Sequence, residues 1–174
     1  LRELIWWGRD DWQLWTQFSE EVSTTLMSLA DGADLLLTEL IGEQPAALAL
    51  RLAREKAIAV AALVGATPRR LVLGADTIVV IDGDVLGKPA DPEDAVRLLA
   101  RLVGREHRVL TAVAIVASDR SDRAATCVVT SRVTMRGATE AEIRRYVATG
   151  EPLDKACAYA AQGEVRRFIE RIEG

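Results

Sequence analysis

The stretch Leu71-Val-Leu-Gly-Ala-Asp-Thr-Ile-Val-Val-Ile-Asp-Gly-Asp-Val-Leu-Gly-Lys-Pro89 decides the reading of this chain. It opens as an apolar run rich in Val and Ile, too short for a membrane span, and so reads as a buried strand. One acid, Asp76, lies inside the run, where a carboxylate is expensive unless something pairs with it. Asp82-Gly83 is a strong two-residue turn signal, and Val85-Leu86 begins the return. With those two residues as the loop, antiparallel partner numbers sum to about 165. Thr77 then faces Lys88 and Asp76 faces Pro89, which brings an acid and a base together at one end of a hairpin. A structural ion pair is the plain reading of such a pair. Gly74 and Gly87-Lys88-Pro89 around it favour a functional one.

The chain has 174 residues and a formal net charge of -4. That length suits one domain with a real core, and the charge gives no reason to expect nucleic acid or an anionic membrane as partner. No apolar stretch approaches the ~20 residues of a membrane helix, and no basic region followed by an apolar segment marks a signal peptide. Cys127 and Cys157 form no CxxC or Cys/His group, which argues against structural zinc. A cytoplasmic protein is the expectation.

Trp6, Trp7, Trp12 and Trp15 all fall near the start of the chain. Residues 1–34 therefore read either as an aromatic interaction surface or as a non-native leader. Pro45 to Val64 is a strong helix, with proline in its first turn, an apolar stripe through Leu48, Leu52, Ala59 and Leu63, and Gly65 as the stop. Asp91-Pro92-Glu93-Asp94 caps a helix that runs to about Val103. Val109 to Ala117 is a strand, Asp119 to Asp122 a turn, and Ala124 to Arg136 a second strand. His107, the single histidine, precedes the first of these, where a structural role is the commoner one. Thr139 and Glu142 form a capping box for a helix through Tyr146. Phe168 and Ile169 return as a short strand or helix. Helices interspersed with strands and hairpins give an α/β or α+β class with a mixed sheet; α/β is the expectation.

Asp76, Lys88, Asp154, Lys155 and Gln162, together with Glu39 and Lys56, form the useful polar constellation. Acids beside amines suit a phosphate ester with a divalent metal: the acids hold the ion or activate water, and the lysines neutralise phosphates. No Walker A, GxGxxG, GxSxG or Cys/His dyad competes with this.

Several strings occur in order: Gly74-Ala-Asp-Thr77, Gly87-Lys-Pro89, Gly104-x-x-His107-x-Val109-x-Thr111, Tyr146-x-x-x-Gly-Glu-Pro-x-Asp-Lys-Ala156 and Tyr159-x-x-Gln-Gly163. Over roughly Glu39 to Gly174 the chain resembles the Maf family of nucleoside triphosphate pyrophosphatases. The resemblance implies a Maf/ITPase-like fold, an elongated mixed sheet flanked by helices around a central cleft, often dimeric. It implies metal-dependent hydrolysis of a nucleoside triphosphate, with Mg²⁺ or Mn²⁺, to a monophosphate and pyrophosphate. Asp76 would be the central acid, as metal ligand or as the base that prepares water. Lys56 and Lys88 match lysines near the phosphates, Thr77 beside the acid is expected to bind substrate, and Glu39 matches an acid that helps with the metal. Asp154, Lys155 and Gln162 complete the substrate side, and Gln162 resembles the subgroup acting on dTTP and UTP. A side-chain amide can pair with a pyrimidine edge.

The chain also departs from the family pattern. Residues 1–34 lack the Ser-Ala-Ser-Pro-Arg-Arg loop, Cys157 and Ala112 stand where glycine is usual, and the chain ends before a Ser-x-x-Asn-Val-Val-Gly-Leu-Pro segment. The reading is thus a domain over 35–174 after an atypical leader. The alternative is a catalytically impaired homologue that at most binds nucleotide.

Overall fold

The computed structural model describes residues 43–64, 70–154, 156–159 and 163–174. Helix α1 (Pro45–Val64) is followed by β1 (Leu71–Ile81), β2 (Asp84–Leu86), α2 (Pro92–Leu102), β3 (Glu106–Ala117), β4 (Arg120–Met135), α3 (Glu140–Val147), three short 3-10 turns and β5 (Ile169–Glu173). The five strands form one sheet in the order β2-β1-β3-β4-β5. Among the described residues every strand pair is antiparallel, so the α/β class holds while no parallel pair is found where a mixed sheet was expected. Hairpins account for two of the four pairs, β1 with β2 and β3 with β4, since each must reverse the chain.

The expected hairpin register is found, with Val79 opposite Leu86, Val80 opposite Val85 and Ile81 opposite Asp84. Asp82 and Gly83 both take positive φ, 55° and 91°, as a tight primed turn requires. Arg105 holds Asp82 at 2.6 Å and Arg101 holds Asp84 at 2.7 Å, which ties the hairpin tip to the end of α2.

The sheet carries two cores on opposite faces. Alternate side chains of β1 point to opposite sides. Val72, Ile78 and Val80 meet Leu48, Leu52, Ala53, Ala57 and Val60 of α1, with Leu110, Ala112, Ala114 and Val116 of β3 beside them. Val79 and Ile81 belong instead to a second cluster with Leu98, Leu99 and Leu102 of α2, Ile143 and Tyr146 of α3, and Phe168. Only Ile78 to Ile81 are buried in an unbroken run; from Leu71 to Thr77 the face away from α1 is exposed. Leu71, Leu73, Ile115 and Val129 all lie exposed there.

Both capping signals are realised. The Asp91 side chain accepts from the Asp94 amide, and Thr139 and Glu142 exchange the two bonds of a capping box. Two expected boundaries shift. β3 starts at Glu106, which places His107 inside the strand, paired opposite Val133. The expected turn at 119–122 lies earlier, because the Ser118 amide donates to the Arg70 carbonyl at 2.8 Å and fixes the reversal before Arg120. Asp122 and Arg123 then sit in the exposed start of β4, where charge costs little. Residues 1–34, with their tryptophans, lie outside the described residues.

Candidate functional site

The site is built where α1 crosses β1. Helix α1 approaches closely because it presents Ala49, Ala53, Ala57 and Ala61 toward the sheet and because β1 carries Gly74 beneath it. A β-carbon on Gly74 would overlap the Ala53 carbonyl and lie 2.7 Å from the Ala57 amide nitrogen. Two residues along the same face, Asp76 points toward the helix, and Lys56 reaches it with Nζ 2.5 Å from Oδ1. The carboxylate side chain is 10% exposed and the lysine side chain 36%, so the pair sits at the rim of the α1 core. Its cross-strand neighbour is Ala112, fully buried, where the family pattern usually has glycine.

The acid expected to meet Lys88 is therefore paired with Lys56 instead. The pairing of β1 with β2 stops at Leu86, so Lys88 and Pro89 never come opposite Thr77 and Asp76. Pro89 has no amide to donate to a ladder, and Asp91 then caps α2 and turns the chain away. Lys88 is exposed on the connecting loop. Thr77 lies on the other face of the sheet, where its hydroxyl meets that of Thr111 at 3.1 Å. Glu39, Lys155, Gln162 and the side chain of Asp154 lie outside the described residues.

The Gly87-Lys88-Pro89 loop is joined to the C-terminal turns. The Cys157 amide donates to the Gly87 carbonyl at 2.9 Å. Cys157 and Ala158 both take left-handed backbone, φ 54° and 61°, although neither is glycine. Such residues cost of order 1–2 kcal/mol each and persist only where their surroundings impose them. This explains why a glycine suits position 157. Burial pushes the Cys157 thiol up to about 12, which leaves it inert as a nucleophile.

Two polar contacts, one buried and one half-buried, escaped the reading of residue types. His107 Nε2 lies 2.5 Å from the Tyr159 hydroxyl, and burial lowers the imidazole to about 4, so it is neutral. The Tyr146 hydroxyl donates to Glu151 at 3.1 Å, and the other oxygen of that carboxylate accepts from the Glu164 amide at 3.2 Å. Glu151 thus joins the two ends of the segment that contains Lys155 and Gln162. The signal available was an acid and two aromatics in a segment otherwise destined for the core.

A groove of about 820 Å³ beside α1 is lined by Leu50, Arg54, Ile58, Asp122, Ala124 and Thr126, among others. None of the expected site residues lines it.

The comparisons with known proteins agree with the motifs. A family model described as Maf-like protein matches residues 18–174. The chain belongs to the Maf-like family. Among curated relatives, a dTTP/UTP pyrophosphatase of Shewanella denitrificans is 46% identical over 141 residues, which is 81% of this chain and 70% of the relative. One of Geobacter sulfurreducens is 48% identical over 133 residues, 76% of this chain and 68% of the relative. One of Hahella chejuensis is 51% identical over 124 residues, 71% of this chain and 60% of the relative.

Within this Maf-like chain, no three His, Cys, Asp or Glu side chains gather around a metal-sized point among the described residues. A single carboxylate nevertheless fits the way Mg²⁺ is usually held on nucleotides, through one or two protein acids, waters and the substrate's own phosphates. Asp76 Oδ1 is taken by Lys56, and Oδ2 makes no hydrogen bond among the described residues. The chemistry of the donors is that of a hard, oxygen-seeking ion. No helix among the described residues is long and apolar enough to cross a membrane.

Proposed function

We propose that this Maf-like chain is a nucleoside triphosphate pyrophosphatase acting on dTTP and UTP, releasing the monophosphate and pyrophosphate. The observation that carries the reading is the Lys56–Asp76 pair, an acid on the covered face of β1 held by a lysine of the facing helix. Relatives named dTTP/UTP pyrophosphatase support the substrate class.

In this reading Asp76 is the acid of the site, an acceptor for the proton of the attacking water and an oxygen ligand for a divalent cation. Glu39 is a second candidate for holding that ion. A bound Mg²⁺ or Mn²⁺ would supply charge neutralisation on the phosphates. Lys56 holds Asp76 in place and offers its ammonium to a phosphate that enters beside it. Lys88, exposed on its loop, adds a second ammonium for the pyrophosphate leaving group. Asp154, Lys155 and Gln162 belong to the substrate side, with the Gln162 amide reading the pyrimidine edge. Thr77, turned to the opposite face, supports the strand through Thr111 rather than touching nucleotide. The same reading takes the protein as cytoplasmic and as a homodimer. The exposed apolar side chains of β1, β3 and β4 support association, and sedimentation at two concentrations measures it.

The test is pyrophosphate release with Mg²⁺ from dTTP, UTP, ATP, GTP and 7-methyl-GTP. Preference for the two pyrimidines, lost in Asp76→Asn, is the expected result. Equal release from all five, or undiminished release by Asp76→Asn, would overturn it.

A further inference from the structure

We propose that His107 and Tyr159 are positioning residues that lock the Cys157–Tyr159 segment against the Gly87-Lys88-Pro89 loop and so hold Lys88 in place. The proposal rests on the pyrophosphatase reading, in which Lys88 meets phosphate.

The contacts form one line across the molecule. His107 is 2% exposed on β3, and its ring meets Tyr159 edge-on, with centroids 5.5 Å apart and planes at 87°. The hydroxyl of Tyr159 lies 2.5 Å from Nε2. Two residues before Tyr159, the Cys157 amide reaches the Gly87 carbonyl at 2.9 Å, next to Lys88. Between these two bonds lie the left-handed residues Cys157 and Ala158, both fully buried. Strained backbone of this kind survives when bonds on either side over-determine it, and here the anchors are His107 and Gly87.

The choice of an imidazole also points beyond packing. His107 Nδ1 is buried and without a hydrogen-bond partner among the described residues. An apolar side chain would fill the same space without leaving a polar atom unpaired. What the imidazole adds is the bond to Tyr159. Held neutral, it carries orientation and not charge.

Hydrogen–deuterium exchange on the full chain tests this, comparing peptides over residues 84–90 and 156–159 with one over α1. Tyr159→Phe removes only the hydroxyl and His107→Leu only the polar ring. Each is expected to raise exchange in the first two peptides about tenfold, the worth of one ordinary hydrogen bond, and to leave α1 unchanged. His107→Gln, whose amide can reach the Nε2 position, should restore exchange to within about twofold of wild type. In dTTP hydrolysis Tyr159→Phe should lower kcat about tenfold with KM within about threefold, because Lys88 acts on the leaving group. Unchanged exchange over 84–90 in Tyr159→Phe overturns the proposal, as does an equal rise in all three peptides, which would mean packing alone. If wild type fails to release pyrophosphate, the functional reading fails, and the exchange pattern still decides the tether.

Discussion

Gly74 lies against the backbone of Ala53 so closely that a β-carbon there would overlap the Ala53 carbonyl oxygen. The contact fixes how deep α1 sits on β1, and with it the reach of Lys56 to Asp76. Neither the helix nor the strand backbone can yield without losing its own hydrogen bonds.

Gly74→Ala is therefore expected to destabilise the fold by about 1–3 kcal/mol, the usual cost of an overpacked core position. Denaturant unfolding measures it. The same variant should lose pyrophosphatase activity more than its stability loss explains, because the helix carrying Lys56 is lifted. A change below about 0.5 kcal/mol would show that α1 is not seated on this glycine.

A double-mutant cycle addresses the ion pair itself. Lys56→Met leaves a mostly buried carboxylate without its lysine, Asp76→Asn removes the charge, and the double variant removes both. Lys56 is partly solvated, so a coupling of about 1 kcal/mol is expected and not the several of a fully buried pair. Activity should fall by about 10²-fold or more in either single variant. Zero coupling in unfolding would mean that the pair is incidental to the fold.

Stability should also depend on His107 in acid. Its pKa is lowered by burial from 6.5 to about 4, so between these values the unfolded chain binds a proton that the folded chain does not. Unfolding free energy thus rises with pH across this window: the contribution is complete above about 6.5 and lost as pH falls through about 4. The full swing is of order 3 kcal/mol. Glu142 adds a loss at lower pH. Its carboxyl is brought to about 2 by the Thr139 amide, then by Arg136 and the Thr139 hydroxyl, so its contribution is present above 4.5 and disappears as pH falls through 2. Comparing wild type with His107→Gln isolates the histidine: the two pH curves should run parallel above pH 6.5 and separate only below it, wild type falling more steeply. Parallel curves from pH 7 to 4 would count against a buried neutral imidazole.

Position 157 offers a reversed substitution order. In most ordered backbone glycine is less stable than alanine, but left-handed φ inverts this. Cys157→Gly is expected to be more stable than Cys157→Ala by about 1 kcal/mol, measured by thermal unfolding of both. The reverse order would contradict the φ of 54°.

The sequence made the helices and the first hairpin readable for local reasons. Proline at the start of α1, the Asp91 and Thr139 caps, and Asp82-Gly83 each act within a few residues of themselves. The hairpin register followed from that turn alone. Lys56 as the partner of Asp76 was not readable, because it depends on how deeply α1 sits over Gly74, a contact between elements. The extent of the ladder was also hidden. Simple register arithmetic carries on past Leu86, while Pro89 and the Asp91 cap stop it. The polar contacts of His107 and Glu151 cross long stretches of chain, so no periodicity announces them. The strings that marked the candidate site named its residues without saying which of them touch.

The spacing of the two polar anchors along the chain bears on when the site forms. Lys56 and Asp76 are 20 residues apart, whereas His107 and Tyr159 are 52 apart. Loop closure grows only with the logarithm of length, so the longer link costs about 0.8 kcal/mol more. The order of synthesis separates them further, since β1 leaves the ribosome long before Tyr159 does. A nascent chain would carry its acid and lysine already paired, and acquire the brace for Lys88 only when its last segment arrives.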